Sequence, residues 1–176
     1  MKIILASSSP RRKKILRRLG YPFDIIIPKI NESILTTKIK PKDYCITLAK
    51  MKANFVSNQF PNALVIGADT IVVLKEKILN KPIDKLQAEN MLSTLSGKTH
   101  YVYTGVCLKW KINNIEHAFV EITQVSFRNI EQEDILFYIN NYPPYDKAGA
   151  YGIQDRSAIF VSSIKGCYDN VVGFPL

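Results

Sequence analysis

Asp69 lies within the apolar run Ile66-Gly67-Ala68-Asp69-Thr70-Ile71-Val72-Val73. An ionised, unpaired carboxylate in such surroundings costs several kcal/mol. It must therefore be hydrogen-bonded, ion-paired, metal-bound or protonated. A general base, a metal ligand and a hydrogen-bonded structural aspartate all meet that demand. Gly67 and Ala68 leave space beside it, as a strand next to a ligand often does. A second chemical signal is Ser7-Ser8-Ser9-Pro10-Arg11-Arg12, directly after Ile3-Ile4-Leu5-Ala6. Ser9-Pro10 starts a helix, with Pro at the first helical position. Two arginines in that first turn oppose the macrodipole by roughly 0.3–1 kcal/mol each. A docked polyanion would reverse the sign, because free N–H groups and both guanidinium forks would face its oxygens. The other account is a solvated basic turn, shared with Lys13, Lys14, Arg17 and Arg18.

Further polar residues fit a phosphate-handling site or an ordinary surface. Glu32 is a second metal-directed carboxylate if its loop folds over a cleft, and otherwise a polar loop residue. Lys52 lies beside the apolar stripe of its helix, at a cleft margin or at the edge of the core by snorkelling. Lys81, before Pro82, reaches a phosphate or stands exposed on a hairpin. Gln154 closes a Gly-rich loop and either reads a base edge or braces the loop. Thr70 points away from Asp69 in a regular strand, so a shared site requires a bulge or a strand end. His100 and His117 lack metal-ligand spacing and read as structural. There is no Walker A sequence, G-x-G-x-x-G motif or nucleophile elbow.

The elements that must position these groups follow from periodicity. Ile3-Ile4-Leu5-Ala6 is a short buried strand, and its helix runs through Ile15, Leu16 and Leu19 to Gly20. Residues 22–28 are extended, with Ile25-Ile26-Ile27 in a strand, and residues 31–40 form a polar loop. Pro41 opens a helix whose core face is Tyr44, Leu48, Met51 and Phe55. Residues 63–74 read as a central strand covered on both faces. Lys75-Glu76-Lys77 turns into Ile78-Leu79. Asp84 and Gln87 form a capping box for a helix that buries Ala88, Met91, Leu92 and Leu95. Thr99–Trp110 and Ile115–Phe127 are long antiparallel strands. A helix over residues 131–140, the Gly-rich loop 146–154 and a strand over residues 158–164 complete the chain. The fold class is α/β with a mixed sheet, in a single domain spanning residues 1–176.

Composition narrows the function. The chain has 176 residues, 47% hydrophobic and 22% charged, which suits a globular domain and argues against disorder. No apolar run approaches the roughly 20 residues of a membrane span. The N-terminal apolar run is too short for a signal peptide, so the expected location is the cytosol. Cys45, Cys107 and Cys167 are far apart and read as reduced, mostly buried thiols. The 24 Lys and Arg against 15 Asp and Glu leave a net charge of +9. That charge is dispersed, which fits a small phosphorylated ligand at least as well as nucleic acid.

Several of these segments together resemble one family. Ile4-Leu5-Ala6-Ser7-Ser8-Ser9-Pro10-Arg11-Arg12, Lys52, Gly67-Ala68-Asp69-Thr70, Lys81-Pro82 and Ser96-Gly97-Lys98-Thr99-His100 are part of the pattern. Asp146-Lys147-Ala148-Gly149-Ala150-Tyr151-Gly152-Ile153-Gln154 and the closing Val171-Val172-Gly173-Phe174-Pro175-Leu176 complete it. The chain resembles the Maf-type nucleoside triphosphate pyrophosphatases along essentially its whole length. Asp69-Thr70 with Gln154 is similar to the dTTP/UTP branch. The resemblance implies a single elongated domain with a long mixed sheet flanked by helices, a central active-site cleft and a Maf/ITPase-like fold. It also implies hydrolysis of the α–β phosphoanhydride of dTTP or UTP, with CTP or modified pyrimidine nucleotides as further substrates. Magnesium is the implied divalent metal, with manganese as a substitute, and members are often dimeric.

Carried over by position, Asp69 is the proton acceptor and, with Glu32, a metal-site carboxylate. Ser8, Arg11, Arg12, Lys52, Thr70, Lys81 and Gln154 are substrate-binding, with Arg11, Thr70 and Gln154 tied to substrate choice. The chain departs from the pattern at Asn31, Asn80 and Asp155, where the family commonly has an acidic residue, a glycine and a glycine. Asn80 could alter the presentation of Lys81, and Asp155 adds charge near the base-recognition loop. The rival from another class is a non-catalytic regulator, linked to division control or to nucleic acid, using the +9 charge.

Overall fold

A computed structural model of the protein describes residues 1–32 and 39–176. Among these described residues, seven strands form one mixed sheet. They are β1 (Ile3–Ala6), β2 (Asp24–Ile25), β3 (Leu64–Leu74), β4 (Lys77–Leu79), β5 (Thr99–Trp110), β6 (Ile115–Phe127) and β7 (Val161–Lys165). Their spatial order is β2-β1-β3-β5-β6-β7, and β4 folds back onto β3. β1 pairs in parallel with β2 and β3, and every other pairing is antiparallel. Five α-helices among the described residues flank the sheet: α1 (Pro10–Arg17), α2 (Pro41–Gln59), α3 (Lys85–Leu95), α4 (Gln132–Asn141) and α5 (Tyr168–Val172).

β3 is the central strand that its unbroken apolar run predicts. Val65, Ile71 and Val73 pack under α2 on one face. Ile66 and Ala68 meet α1 and α5 on the other face, and Val72 and Leu74 meet α3 and α4 there. The β3–β4 turn places Lys75 and Glu76 at φ 48° and 65°, matching the right-handed twist of the paired strands. The Asp84 half of the capping box forms, while Gln87 reaches back one residue past the cap. Asp84 accepts from the Gln87 N–H at 2.7 Å, and the Gln87 side chain accepts from the Ile83 N–H at 2.8 Å.

The packing of α2 departs from the expected face. Tyr44 and Leu48 are buried, but Met51 and Phe55 are half-buried, and the buried stripe includes Cys45, Ala49, Lys52, Ala53 and Val56. The reason is a close approach at small residues. A Cβ on Gly67 would stand 2.3 Å from the Ala49 carbonyl oxygen, and one on Gly105 would stand 2.5 Å from that of Cys45. Counting large apolar residues located the helix but missed the side that touches. The space beside Gly67 is filled by α2 backbone, which corrects its interpretation as a ligand approach.

Smaller differences have local causes. α1 ends at Arg17, so Leu19 is exposed beyond it. β2 is confined to Asp24 and Ile25, opposite Ile4 and Leu5 of β1, and Ile26 adds one bond beyond it from its N–H to the Leu5 carbonyl at 3.1 Å. Residues 158–160 belong to a 3-10 turn, Arg156–Phe160, capped by Asp155 accepting from the Ser157 N–H at 3.0 Å. The loop expected over residues 31–40 lies mostly outside the described residues. The periodicity did not reveal α5, a single turn and a half closed by Gly173.

Candidate active site

β1 covers one edge of β3 as far as Gly67, and β4 takes up that edge at Val72. Residues 68–71 have no partner strand there among the described residues, and a cleft meets the sheet edge-on. Asp69 and Thr70 keep regular register against Gly105 and Thr104 on β5, so their side chains point to opposite faces. Both nevertheless line this cleft. The strand end that makes this geometry work belongs to β1, and β3 needs no bulge.

Ser8, Arg11, Arg12, Glu32, Lys52, Asp69, Thr70, Lys81 and Gln154 all border the same cleft. At its base the Lys52 Nζ lies 2.6 Å from Asp69 Oδ1 and 2.9 Å from Glu32 Oε1. Asp69 is 8% exposed and Lys52 is 7% exposed. Lys52 thus belongs to the buried stripe of α2, with its ammonium delivered to the cleft, and the margin position expected of it is corrected inward. Burial pushes the Glu32 carboxyl up, but the charge and hydrogen bond of Lys52, with Lys81 and Arg12, outweigh it and leave Glu32 below its ordinary value.

The arginines hold fixed positions on the protein itself. Arg12 donates from Nε to the Gly173 carbonyl at 2.9 Å and from Nη2 to Thr70 Oγ1 at 2.9 Å. A weaker contact reaches Ser7 Oγ at 3.4 Å. Burial lowers the Arg12 pKa from its ordinary value, opposed by the charge of Asp69. Arg11 pairs with Asp146 Oδ2 at 2.6 Å across the cleft and donates to its carbonyl at 3.2 Å. Ser9 caps α1 by accepting from the Arg12 N–H at 3.4 Å. The two guanidinium groups are therefore oriented by different anchors, unlike the pair of open forks the sequence suggested. Ser8, Lys81 and Gln154 are exposed on the cleft rim.

Sequence reasoning passed over the groups that hold Arg12 and Thr70. Thr70 Oγ1 and Thr104 Oγ1 are 2.9 Å apart, and Thr104 donates to the Asn170 carbonyl at 3.3 Å. Asn170 is fully buried and donates from Nδ2 to the Val102 carbonyl and to Thr123 Oγ1. A buried Thr-Thr-Asn chain thus ties the cleft wall to α5. The signal was present in the polar residues spaced along the apolar segments of β5 and β6, but their register was not readable. Asn80 presents its carbonyl to the Gly149 N–H at 3.2 Å. Asp155 ties its loop to α4, accepting from the Tyr138 hydroxyl at 3.2 Å.

The two histidines differ in setting. His100 is buried, its Nε2 lies 2.8 Å from Tyr151 Oη, and burial pushes the imidazole down to about 4. His117 is exposed on β6. Cys45, Cys107 and Cys167 are unpaired, the first two buried and the third half-buried. Among the described residues no helix is long and apolar enough to cross a membrane.

A mixed sheet flanked by helices, with a cleft lined by charged side chains at the end of its first strand, defines an α/β protein with its candidate site at a sheet edge. The fold is similar to that of the Staphylococcus aureus Ham1 protein, with a TM-score of 0.51 at 13% identity over 89% of this chain and 90% of that one. The Maf-like protein family model matches residues 2–176, and the chain belongs to the Maf family. It is 45% identical over 176 residues to the dTTP/UTP pyrophosphatase of Carboxydothermus hydrogenoformans, covering 100% of this chain and 94% of that protein. It is 46% identical over 175 residues to the dTTP/UTP pyrophosphatase of Bacillus anthracis, covering 99% and 90%.

Proposed function

We propose that this protein hydrolyses dTTP and UTP to the nucleoside monophosphate and pyrophosphate. The observation that carries the reading is Asp69, a nearly buried carboxylate at the floor of a cleft bordered by Arg11, Arg12, Lys52 and Lys81. The names of relatives that align along the whole chain support the same activity. A triphosphate carries about four negative charges near neutral pH, and transfer at phosphorus is driven mainly by positioning and charge stabilisation. Arg12, held by Gly173 and Thr70, presents its cation without reorganisation. Arg11 must exchange Asp146 for phosphate, while Lys81 is free to move on the rim.

In the overall reaction, water adds to phosphorus and the P–O bond of the α–β bridge breaks. Pyrophosphate leaves, and one proton is lost from the water. Asp69 takes that proton, an effect worth on the order of 10²–10⁴ in rate. Its Oδ1 is engaged by Lys52, while the cleft is open to its side chain. Thr70 and Gln154 border the cleft from different segments and contact the nucleoside portion.

The donor set also fits a divalent cation. Asp69 and Glu32 converge on one point, each within 2.9 Å of the same ammonium. Among the described residues no third His, Cys, Asp or Glu joins them. Two carboxylates with remaining positions open suit magnesium, which keeps waters and shares phosphate oxygens. Magnesium, or manganese in its place, would polarise a phosphoryl oxygen and neutralise charge. Purified protein supplied with dTTP, UTP, CTP and purine triphosphates, with and without magnesium, tests the reading. Pyrophosphate release is expected to be fastest from dTTP or UTP and to require the metal. No release from any of them would overturn it.

A further inference from the structure

The Lys52 ammonium occupies the point on which two acids from unrelated segments converge, Asp69 on β3 and Glu32 ahead of α2. We propose that this ammonium holds the seat of the divalent cation in the nucleotide-free protein, and that Lys52 yields it when a triphosphate arrives. The proposal rests on the pyrophosphatase reading, since the triphosphate is what the displaced ammonium would follow.

The physical case has three parts. A lysine ammonium is a compact point charge on a flexible four-carbon stem, so its head can swing while the stem stays packed. Here the residue sits in the buried stripe of α2 while its head lies in the cleft. Adding a divalent cation without moving Lys52 would also set three positive charges on two carboxylates, with Arg12 close enough to act on both acids. Cation binding is therefore weak until another anion accepts the ammonium, and the phosphates supply one. Metal and nucleotide consequently bind cooperatively, and by linkage each raises the affinity of the other by the same factor.

The test is titration of the protein with Mn²⁺ alone, followed by electron paramagnetic resonance, comparing wild type with Lys52→Met. Removing the competing ammonium is expected to tighten Mn²⁺ binding, by roughly 5- to 150-fold if the competition matches ordinary coupling between sites. Equal or weaker binding by a folded variant would overturn the exchange. If Lys52→Met does not fold, the wild-type protein carries the test through the Lys52 ε-CH₂ resonances. They are expected to shift when magnesium and a non-hydrolysable α,β-methylene triphosphate are added together, and unchanged resonances would overturn the proposal. Pyrophosphate release from dTTP by the wild type is measured alongside. Release with equal Mn²⁺ affinities sinks the exchange and leaves the functional reading intact, whereas no release removes both.

Discussion

Asp69 and His100 are titratable side chains on adjacent strands, 8% and 0% exposed, yet their surroundings treat charge in opposite ways. Asp69 faces α2 and has a lysine ammonium 2.6 Å away. His100 lies on the other face, edge-on to Phe127 and Tyr151 with ring centroids 4.8 and 5.4 Å away. Its nitrogen reaches a tyrosine hydroxyl but no counter-ion, and burial holds the ring neutral by pushing its pKa down to about 4. Burial alone therefore does not mark a working group. What separates the two regions is whether distant segments bring an opposite charge to the buried one.

The contrast breaks first at Asp69. Asp69→Asn keeps the shape and an acceptor for Lys52 but removes the proposed base, so pyrophosphate release from dTTP is expected to fall about 10²–10⁴-fold. The melting temperature should change by only a few degrees, since Glu32 still pairs with Lys52. Wild-type turnover by the variant would return Asp69 to a structural role.

His100 sharpens the comparison through pH. Its folded pKa lies below the value of 6.5 ordinary for the unfolded chain, so between those values the unfolded state binds more protons. Stability is then complete above about pH 6.5 and declines as pH falls toward 4. The decline attributable to this ring is at most about 3 kcal/mol. Denaturant melts of His100→Gln should show a shallower loss over that window, and parallel curves would remove His100 as the cause.

The smallest effect concerns the support beneath Asp69. Gly67→Ala forces a methyl against the Ala49 carbonyl, and such overpacking typically costs about 1–3 kcal/mol. Since α2 carries Lys52, the variant should lose activity as well as stability. Calorimetry with a parallel pyrophosphate assay checks this, and an unchanged melting point would show that α2 can retreat freely.

Much of the molecule was legible in one dimension. The β3 apolar run, the Asp84–Gln87 cap, the β5–β6 pair and the oddity of Asp69 follow from propensities and solvation rules that act over a few residues. Less accessible were Met51 and Phe55, which looked like core while Ala49 and Ala53 made the close contact. Two glycines on neighbouring strands created that contact, and their adjacency is a fact of register. The Thr70–Thr104–Asn170 chain was hidden for the same reason, because its members lie 34 and 66 residues apart.

Local sequence determined which segments would be strands and helices and which side chains were candidates for chemistry, because backbone preferences and the cost of burying charge are near-neighbour effects. Only the tertiary structure decided that β1 would stop at Gly67's partner and leave residues 68–71 open. That gap lets side chains from both faces of one strand reach a single cleft. It also set Lys52 between Asp69 and Glu32, since electrostatic pairing acts through space and depends on which helix packs over which strand.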